Sequence, residues 1–293
     1  MATDWHDLIA PPALPGLFAR AAMRRQVTGK TLPSLGLRCT LSADADNLQR
    51  YRALCGFADG TRLPVTYPHV LAFALQMKLL TDRRFPFPLL GLVHLENRIR
   101  LLRPLGGLGP FTVSVHGDKL QAHPKGAQFS LITRLQDQLG LLWEGDSGIL
   151  CRDIRLDGEP PESSQTESSQ TESSPPDEFR LRELDRWTAP ANIGRRYARL
   201  SGDYNPIHLS AASARLFGFP RAIAHGLWLK ARSLAALESQ LPPAGYAVEV
   251  RFHQPVRLPA ELHLLASAAA PSGRLELLGE GQRLHMSGSW QPL

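Results

Sequence analysis

The stretch LDGEPPESSQTESSQTESSPPDE, residues 156–178, sets the outer limit on what this chain can fold into. It repeats Ser-Ser-Gln-Thr-Glu, carries four prolines and has almost nothing apolar after Leu156. A segment of that composition buries too little surface to offset the entropy of ordering it. The sequence therefore predicts a disordered tether over 156–178 between folded parts at 1–155 and 179–293. The tether holds seven acidic residues and no Lys or Arg, so a formal charge of +6 for the whole chain becomes +13 for the remainder.

The two parts share an order of elements. YRALCGFADG (51–60) is similar to YARLSGDYNP (197–206), YPHVLAFALQMKLL (67–80) to IAHGLWLKARSLAAL (223–237), and GLVHLENRIRLLRP (91–104) to AVEVRFHQPVRLP (247–259). Each part reads as a helix, a loop, a longer apolar helix with a His at its N-terminal edge, and then several strands. One repeat of that order points to duplication. Strands grouped after helices imply an α+β fold with an antiparallel sheet. In the second part Thr188 is expected to cap a helix that starts near Pro190. Gly202 is expected to end it, and Ser210 to cap a short helix after it. The strands expected to follow are YAVEVRFHQPVRL, AELHLLASAAA, GRLELLGEG and QRLHMSGSW.

Composition narrows the partners. At 43% apolar residues the chain can build a sizeable core. Lys and Arg are scattered, which argues against nucleic acid as a partner and suits a small phosphate-bearing anion. Cys39, Cys55 and Cys151 form no Cys-x-x-Cys pair and no disulfide framework, which favours a reducing cytoplasm. The N-terminal MATDWHDLIAPPALPGLFAR has an Asp pair and three prolines where a signal peptide needs an unbroken apolar core. No window approaches eighteen uninterrupted apolar residues, so a cytoplasmic chain with no membrane partner is expected.

The chemistry concentrates at YARLSGDYNPIHLSAASARLFGFPRAIAHGLWLKARSLAAL, residues 197–237. The Asn205-Pro206 turn can fold the chain back so that Asp203 and His208 face one point. A carboxylate and an imidazole there hold one water, one partner accepting a proton while the other donates. The amide of Asn205 is placed to orient the carboxylate or the water. Gly226, opening an apolar helix, offers a free N–H at the positive helix end, and without a Cβ it admits a carbonyl closely. Such a donor stabilises an oxyanion. Taken alone, Asp203 and Asn205-Pro206 are also ordinary turn formers.

SGDYNPIH followed by AIAHG closely resembles the signature of the MaoC-like, (R)-specific enoyl-CoA hydratase (hydratase 2) family. The resemblance implies a hotdog fold, a long helix wrapped by antiparallel sheet, and reversible hydration of trans-2-enoyl thioesters to (R)-3-hydroxyacyl thioesters. It implies Asp203 and His208 as the catalytic pair, Asn205 as their support and Gly226 as the oxyanion donor, with no metal, flavin or nicotinamide cofactor. The serine that some members carry eight positions after that glycine is Leu234 here, with Ser233 beside it. In the first part Phe57 stands where Asp203 would align, and Pro68-His69 where His225-Gly226 would be. That part is expected to be a degenerate copy in a double hotdog, completing the sheet and shaping the acyl tunnel around one active site. The partner implied is an acyl thioester of CoA or of acyl carrier protein, and the internal pseudo-dimer allows a monomer or a homodimer.

Around the motif, Arg221, Lys230 and Arg257 are candidates to meet the phosphates of the carrier. His225 reads equally as a substrate contact or a buried, hydrogen-bonded histidine. A metal held by Asp203, His208 and His225 lacks the support of a His-x-x-x-His or Cys-x-x-Cys pair. Two other readings stand beside the hydratase: a hotdog thioesterase, against which the Asp and His spacing argues, and a non-catalytic acyl-CoA or acyl-carrier binding module.

Overall fold

Each half is organised around a helix whose sequence leaves it no solvent face. The computed structural model describes residues 3–158, 180–268 and 271–293, so the expected tether lies outside the described residues apart from 156–158. The first half runs β1 (Asp4–Leu8), α1 (Leu14–Met23), β2 (Leu35–Leu41), α2 (Ala45–Cys55), α3 (Pro68–Leu80), β3 (Val93–Leu101), β4 (Phe111–His123), β5 (Gly126–Asp137) and β6 (Gly140–Cys151). The second runs β7 (Arg182–Ala189), α4 (Ile193–Ser201), α5 (Ala211–Arg215), α6 (Gly226–Ala236), β8 (Tyr246–Phe252), β9 (Ala260–Ala266), β10 (Gly273–Gly279) and β11 (Arg283–Pro292). A helix apolar on most sides must be covered on most sides. In α3 Ala72, Leu75, Met77 and Leu79 are buried, and in α6 Trp228, Leu229, Ala231 and Leu234. Full burial of each large apolar side chain contributes about 1.5–3 kcal/mol.

The cover is one eleven-stranded sheet in the order β1-β2-β4-β5-β6-β3-β8-β11-β10-β9-β7. Outward from the central β3·β8 seam, β3-β6-β5-β4-β2 on one side is matched strand for strand by β8-β11-β10-β9-β7 on the other. The seam is antiparallel, with Asn97 opposite Val250 and Leu101 opposite Tyr246. Two wrapped helices in one continuous sheet are the double hotdog that the resemblance implied. Beyond the repeat, β1 adds a strand to the first half, and its pairing with β2 is parallel. The sheet is therefore mixed rather than wholly antiparallel.

The two halves also meet through helices. Tyr51 of α2 packs on Tyr197 of α4 with ring centroids 6.2 Å apart, and Asn47 Nδ2 donates to Leu200 O at 3.2 Å. Among the described residues no helix is long and apolar enough to cross a membrane.

One boundary differs from expectation. Thr188 does not cap a helix; it lies in β7, opposite Glu261 of β9. Pro190 ends that strand, and its carbonyl accepts from Ile193 N–H at 3.0 Å as α4 begins. The other punctuation holds. Gly202 follows α4 with φ 79°, where a side chain would be strained, and Ser210 caps α5 by accepting from Ser213 N–H.

Candidate active site

The site grows from how α4 is anchored. Ile193, Gly194, Tyr197, Ala198 and Ser201 form its buried face, while Arg195, Arg196 and Arg199 face out. Gly194 is on that face because nothing larger fits: a Cβ there would lie 1.9 Å from the carbonyl oxygen of His208. Arg195 reinforces the contact by donating to Leu209 O at 2.8 Å. After Gly202 the chain turns over Asn205-Pro206 into a single 3-10 turn, Pro206–His208. Ser213 Oγ donates to Pro206 O at 2.7 Å, tying α5 to that turn.

These restraints aim Asp203 and His208 at one place. His208 is 8% exposed and its Nδ1 lies 2.8 Å from Ile223 O. A carbonyl can only accept, so Nδ1 carries the proton and neutral His208 presents a bare Nε2. Burial lowers the basicity of His208, partly offset by Asp203. Asp203 keeps 30% of its side chain open, and burial raises its proton affinity. Donor atoms of Asp203, His208 and His225 all lie within 4.8 Å of one another. One water can bridge a carboxylate and an imidazole at such a separation.

Asn205 supports the carboxylate differently from expected. Its backbone N–H donates to Asp203 Oδ1 at 3.1 Å, while its side-chain oxygen accepts from Ile207 N–H at 3.4 Å. The amide therefore caps the turn, and the main chain holds Asp203.

His225 is not open to a substrate. It is 3% exposed, its ring stacks on His208 at 3.7 Å, and its Nε2 lies 3.0 Å from the Asp203 carbonyl. It is the buried, hydrogen-bonded alternative, a prop between the loop and α6. Of the three possible metal donors, His225 has its Nε2 on that carbonyl, while its Nδ1 is buried without a partner.

Gly226 opens α6 as expected. The first intrahelical bond runs from Leu229 N–H to His225 O at 3.1 Å, leaving the amides of residues 226–228 without a helix partner. The ring of Phe252 would lie 3.0 Å from a Cβ at 226, so the glycine makes room for that ring.

The expected phosphate-binding residues divide. Arg221 and Arg257 are exposed and close together, since residues 222–224 pair with 256–258: Ala224 N–H donates to Val256 O and Leu258 N–H to Ala222 O, each at 2.9 Å. Lys230 is not at the surface. It is 0% exposed, and its Nζ donates to Asn97 O at 2.9 Å and Oδ1 at 2.6 Å. It lies on the β3-facing side of α6, which excludes it from meeting a solvent-side phosphate. Nearby, Ser233 Oγ is buried without a partner and Leu234 is in the core. Gly194 and the Ile223 carbonyl were missed by motif reading. The visible hint for Gly194 was a glycine at the apolar face of an otherwise good helix.

The corresponding positions in the first half carry no such pair. Phe57 is buried and stacks on Tyr51 at 6.4 Å. His69 lies in the first turn of α3, accepts from Asn97 Nδ2 at 3.2 Å, and is pushed down to about 3 mainly by burial.

Comparison with known proteins agrees with this fold. The family described as "MaoC like domain" matches residues 171–272. The chain is 35% identical over 254 residues to 3-hydroxyacyl-thioester dehydratase X of Mycobacterium tuberculosis, covering 85% of this chain and 87% of that protein. It is 32% identical over 148 residues to peroxisomal enoyl-CoA hydratase 2 of Arabidopsis thaliana, covering 46% of this chain and 45% of that one. The crystal structure of HtdX from Mycobacterium tuberculosis superposes with a TM-score of 0.74 at 29% identity, covering 88% of this chain and 100% of that chain. The matched domain contains Asp203, His208 and Gly226, and the matches to dehydratase X and to the HtdX structure extend the likeness across both halves. On that combined footing, the chain belongs to the MaoC-like dehydratase family.

Proposed function

We propose that this protein is a hydro-lyase that reversibly adds water across the 2,3 double bond of a trans-2-enoyl thioester, giving the (R)-3-hydroxyacyl thioester. The observation that carries the reading is the tautomer of His208. With Nδ1 fixed on Ile223 O, its Nε2 is left without a proton, a ring nitrogen lies within 4.8 Å of the Asp203 carboxyl, and Gly226 directly follows His225, which stacks on that ring.

The step balances with one proton on the pair. His208 Nε2 takes a proton from water as the oxygen bonds to C3. The π electrons move to the thioester carbonyl, and the enolate oxygen is held by Gly226 N–H. Protonated Asp203 then gives its proton to C2, and the proton on His208 restores the acid. Burial favours both roles, raising the proton affinity of Asp203 and lowering that of His208. A thioester over the opening removes the remaining solvent from Asp203 and pushes the same way. Asn205 and His225 act as supports, and Arg221 and Arg257 as candidate contacts for the carrier's phosphates. Residues 179–293 form the catalytic hotdog, and residues 1–155 the degenerate one that completes the sheet. The carrier is CoA or acyl carrier protein.

A panel of enoyl-CoA substrates from C4 to C16 tests the reading, with loss of conjugated absorbance and release of free thiol followed together. Absorbance loss without thiol is expected. Thiol release points to a thioesterase, and tight binding without turnover to a binding module; either result overturns the proposal.

The pH profile of kcat/KM is a second expectation. Activity falls on the acid side as His208 takes a proton, below the ordinary imidazole value of 6.5 because burial lowers it. It falls on the alkaline side as Asp203 loses its proton, above the ordinary carboxylate value of 3.8 because burial raises it. Both limbs belong to the coupled pair. A rate that shows neither limb between about pH 4 and 10 contradicts a one-proton pair.

A further inference from the structure

The core beneath α6 holds a buried lysine amine that the chemistry above does not use. Lys230 is one helical turn from Gly226 on the same face of α6, and side chains on a helix lean toward its N-terminus. Its ammonium is therefore carried back toward the turn that presents the free N–H of Gly226. It is fully buried and rests on two oxygens of Asn97 in β3. Asn97 is itself fixed, its Nδ2 donating to His69 Nε2 at 3.2 Å, Ser147 Oγ at 3.1 Å and Asp146 O at 3.3 Å. Lys230 thus links the helix of the second half to β3 and α3 of the first.

Among the described residues no carboxylate lies within ion-pair distance of it. From β3 it is faced by Asn97 and His94, from α3 by His69, and from β6 by Ser147 through Asn97. His69 and His94 are pushed down to about 3 and about 4, chiefly by burial and then by Lys230 itself, so both are neutral at physiological pH. The carboxylate that acts on Lys230 is that of Glu249 in β8, an exposed residue. A methionine would fill this volume without the desolvation penalty of a buried ion, so packing gives no reason for an ammonium.

We propose that the Lys230 cation is a positioning group for the oxyanion site, fixing the first turn of α6 against β3 and adding its field to the helix end that polarises the thioester carbonyl. It touches no reacting atom and acts through Gly226. The inference rests on the hydratase reading for what the carbonyl is, while the charge and its seating stand apart from it. Burial lowers the proton affinity of Lys230 well below that of a free lysine, so the charge can be titrated off.

The test uses full-length protein with Asp203→Asn and His208→Gln, which removes both titrating catalytic groups, and 2,4-hexadienoyl-CoA as the probe. The absorption band of the bound dienoyl thioester is expected to shift to the red through carbonyl polarisation. Adding Lys230→Gln, which keeps a hydrogen-bonding end but no charge, is expected to remove most of the shift while the probe still binds. With Lys230 intact, the shift is expected to disappear as pH rises through a value below 10.5. In otherwise native enzyme Lys230→Gln is expected to lower kcat about tenfold or more with KM within about twofold, the pattern of a loss confined to the transition state.

A red shift and kcat indifferent to Lys230→Gln overturn the proposal. If that variant does not fold, a shift constant with pH in the Lys230 protein overturns it equally. A native chain that turns over no enoyl thioester, yet shows a Lys230-dependent shift, removes the hydratase reading and leaves this one. Full turnover with no Lys230 dependence does the reverse.

Discussion

His208→Gln is expected to lower kcat for enoyl thioester hydration by about 10²–10⁴-fold, the usual range for removing a positioned acid–base group. The size of the loss follows from how completely the ring is committed. Nδ1 is bound to Ile223 O, one face is stacked on His225, and Nε2 is the remaining basic atom. A glutamine amide can still donate to Ile223 O, so the loop has a partner and the fold is retained. It has no basic nitrogen, so the proton of the attacking water has nowhere to go. The variant is to be compared with native protein for kcat, KM and thermal midpoint. A kcat within tenfold of native at an unchanged midpoint contradicts the assignment of the base.

Gly194→Ala is the second large effect, and it arrives through structure. The new methyl would lie 1.9 Å from His208 O, a backbone atom that cannot rotate away. Either α4 or the 3-10 turn must move, at a cost of about 1–3 kcal/mol or more for an overpacked site. Because that carbonyl belongs to the histidine proposed as the base, the displacement is expected to carry Nε2 off its target. A shift of about an ångström there costs about 10²-fold in rate. Gly16→Ala is the control, since a Cβ at Gly16 in α1 meets nothing within 4 Å. Gly194→Ala is expected to lower both thermal midpoint and kcat while Gly16→Ala changes neither. Native kcat in Gly194→Ala would show that the α4 contact does not hold the loop.

The features legible in the sequence were those written locally. SGDYNPIH and AIAHG each fold over a few residues, so the positions of Asp203, His208 and Gly226 could be read from turn and cap chemistry. The repeated order of elements was legible because α3 and α6 are apolar nearly all round. Missing from that reading were features that depend on neighbours far along the chain. The strand β7, RELDRWTA, is an edge strand with exposed charges at Arg182, Glu183 and Arg186, which looks nothing like a half-buried strand. The role of Gly194 is a contact with a carbonyl fourteen residues on. Lys230 reads as a basic residue near a phosphate-binding motif. Only the register of β3 against β8 shows that Asn97 supplies two oxygens beneath it and that the side chain is in the core.

The whole account depends on the catalytic pair approaching the double bond from one side, because Asp203 and His208 lie on a single loop with their donor atoms within 4.8 Å. Hydration in D2O of the enoyl-CoA that the panel shows to be turned over fastest, followed by determination of configuration at C2 and C3, measures that directly. Syn addition is predicted, with deuterium at C2 and hydroxyl at C3 delivered to the same face and C3 in the (R) configuration. Anti addition would place acid and base on opposite faces of the substrate, and an (S) product would put the water on the other face of C3; either contradicts the account.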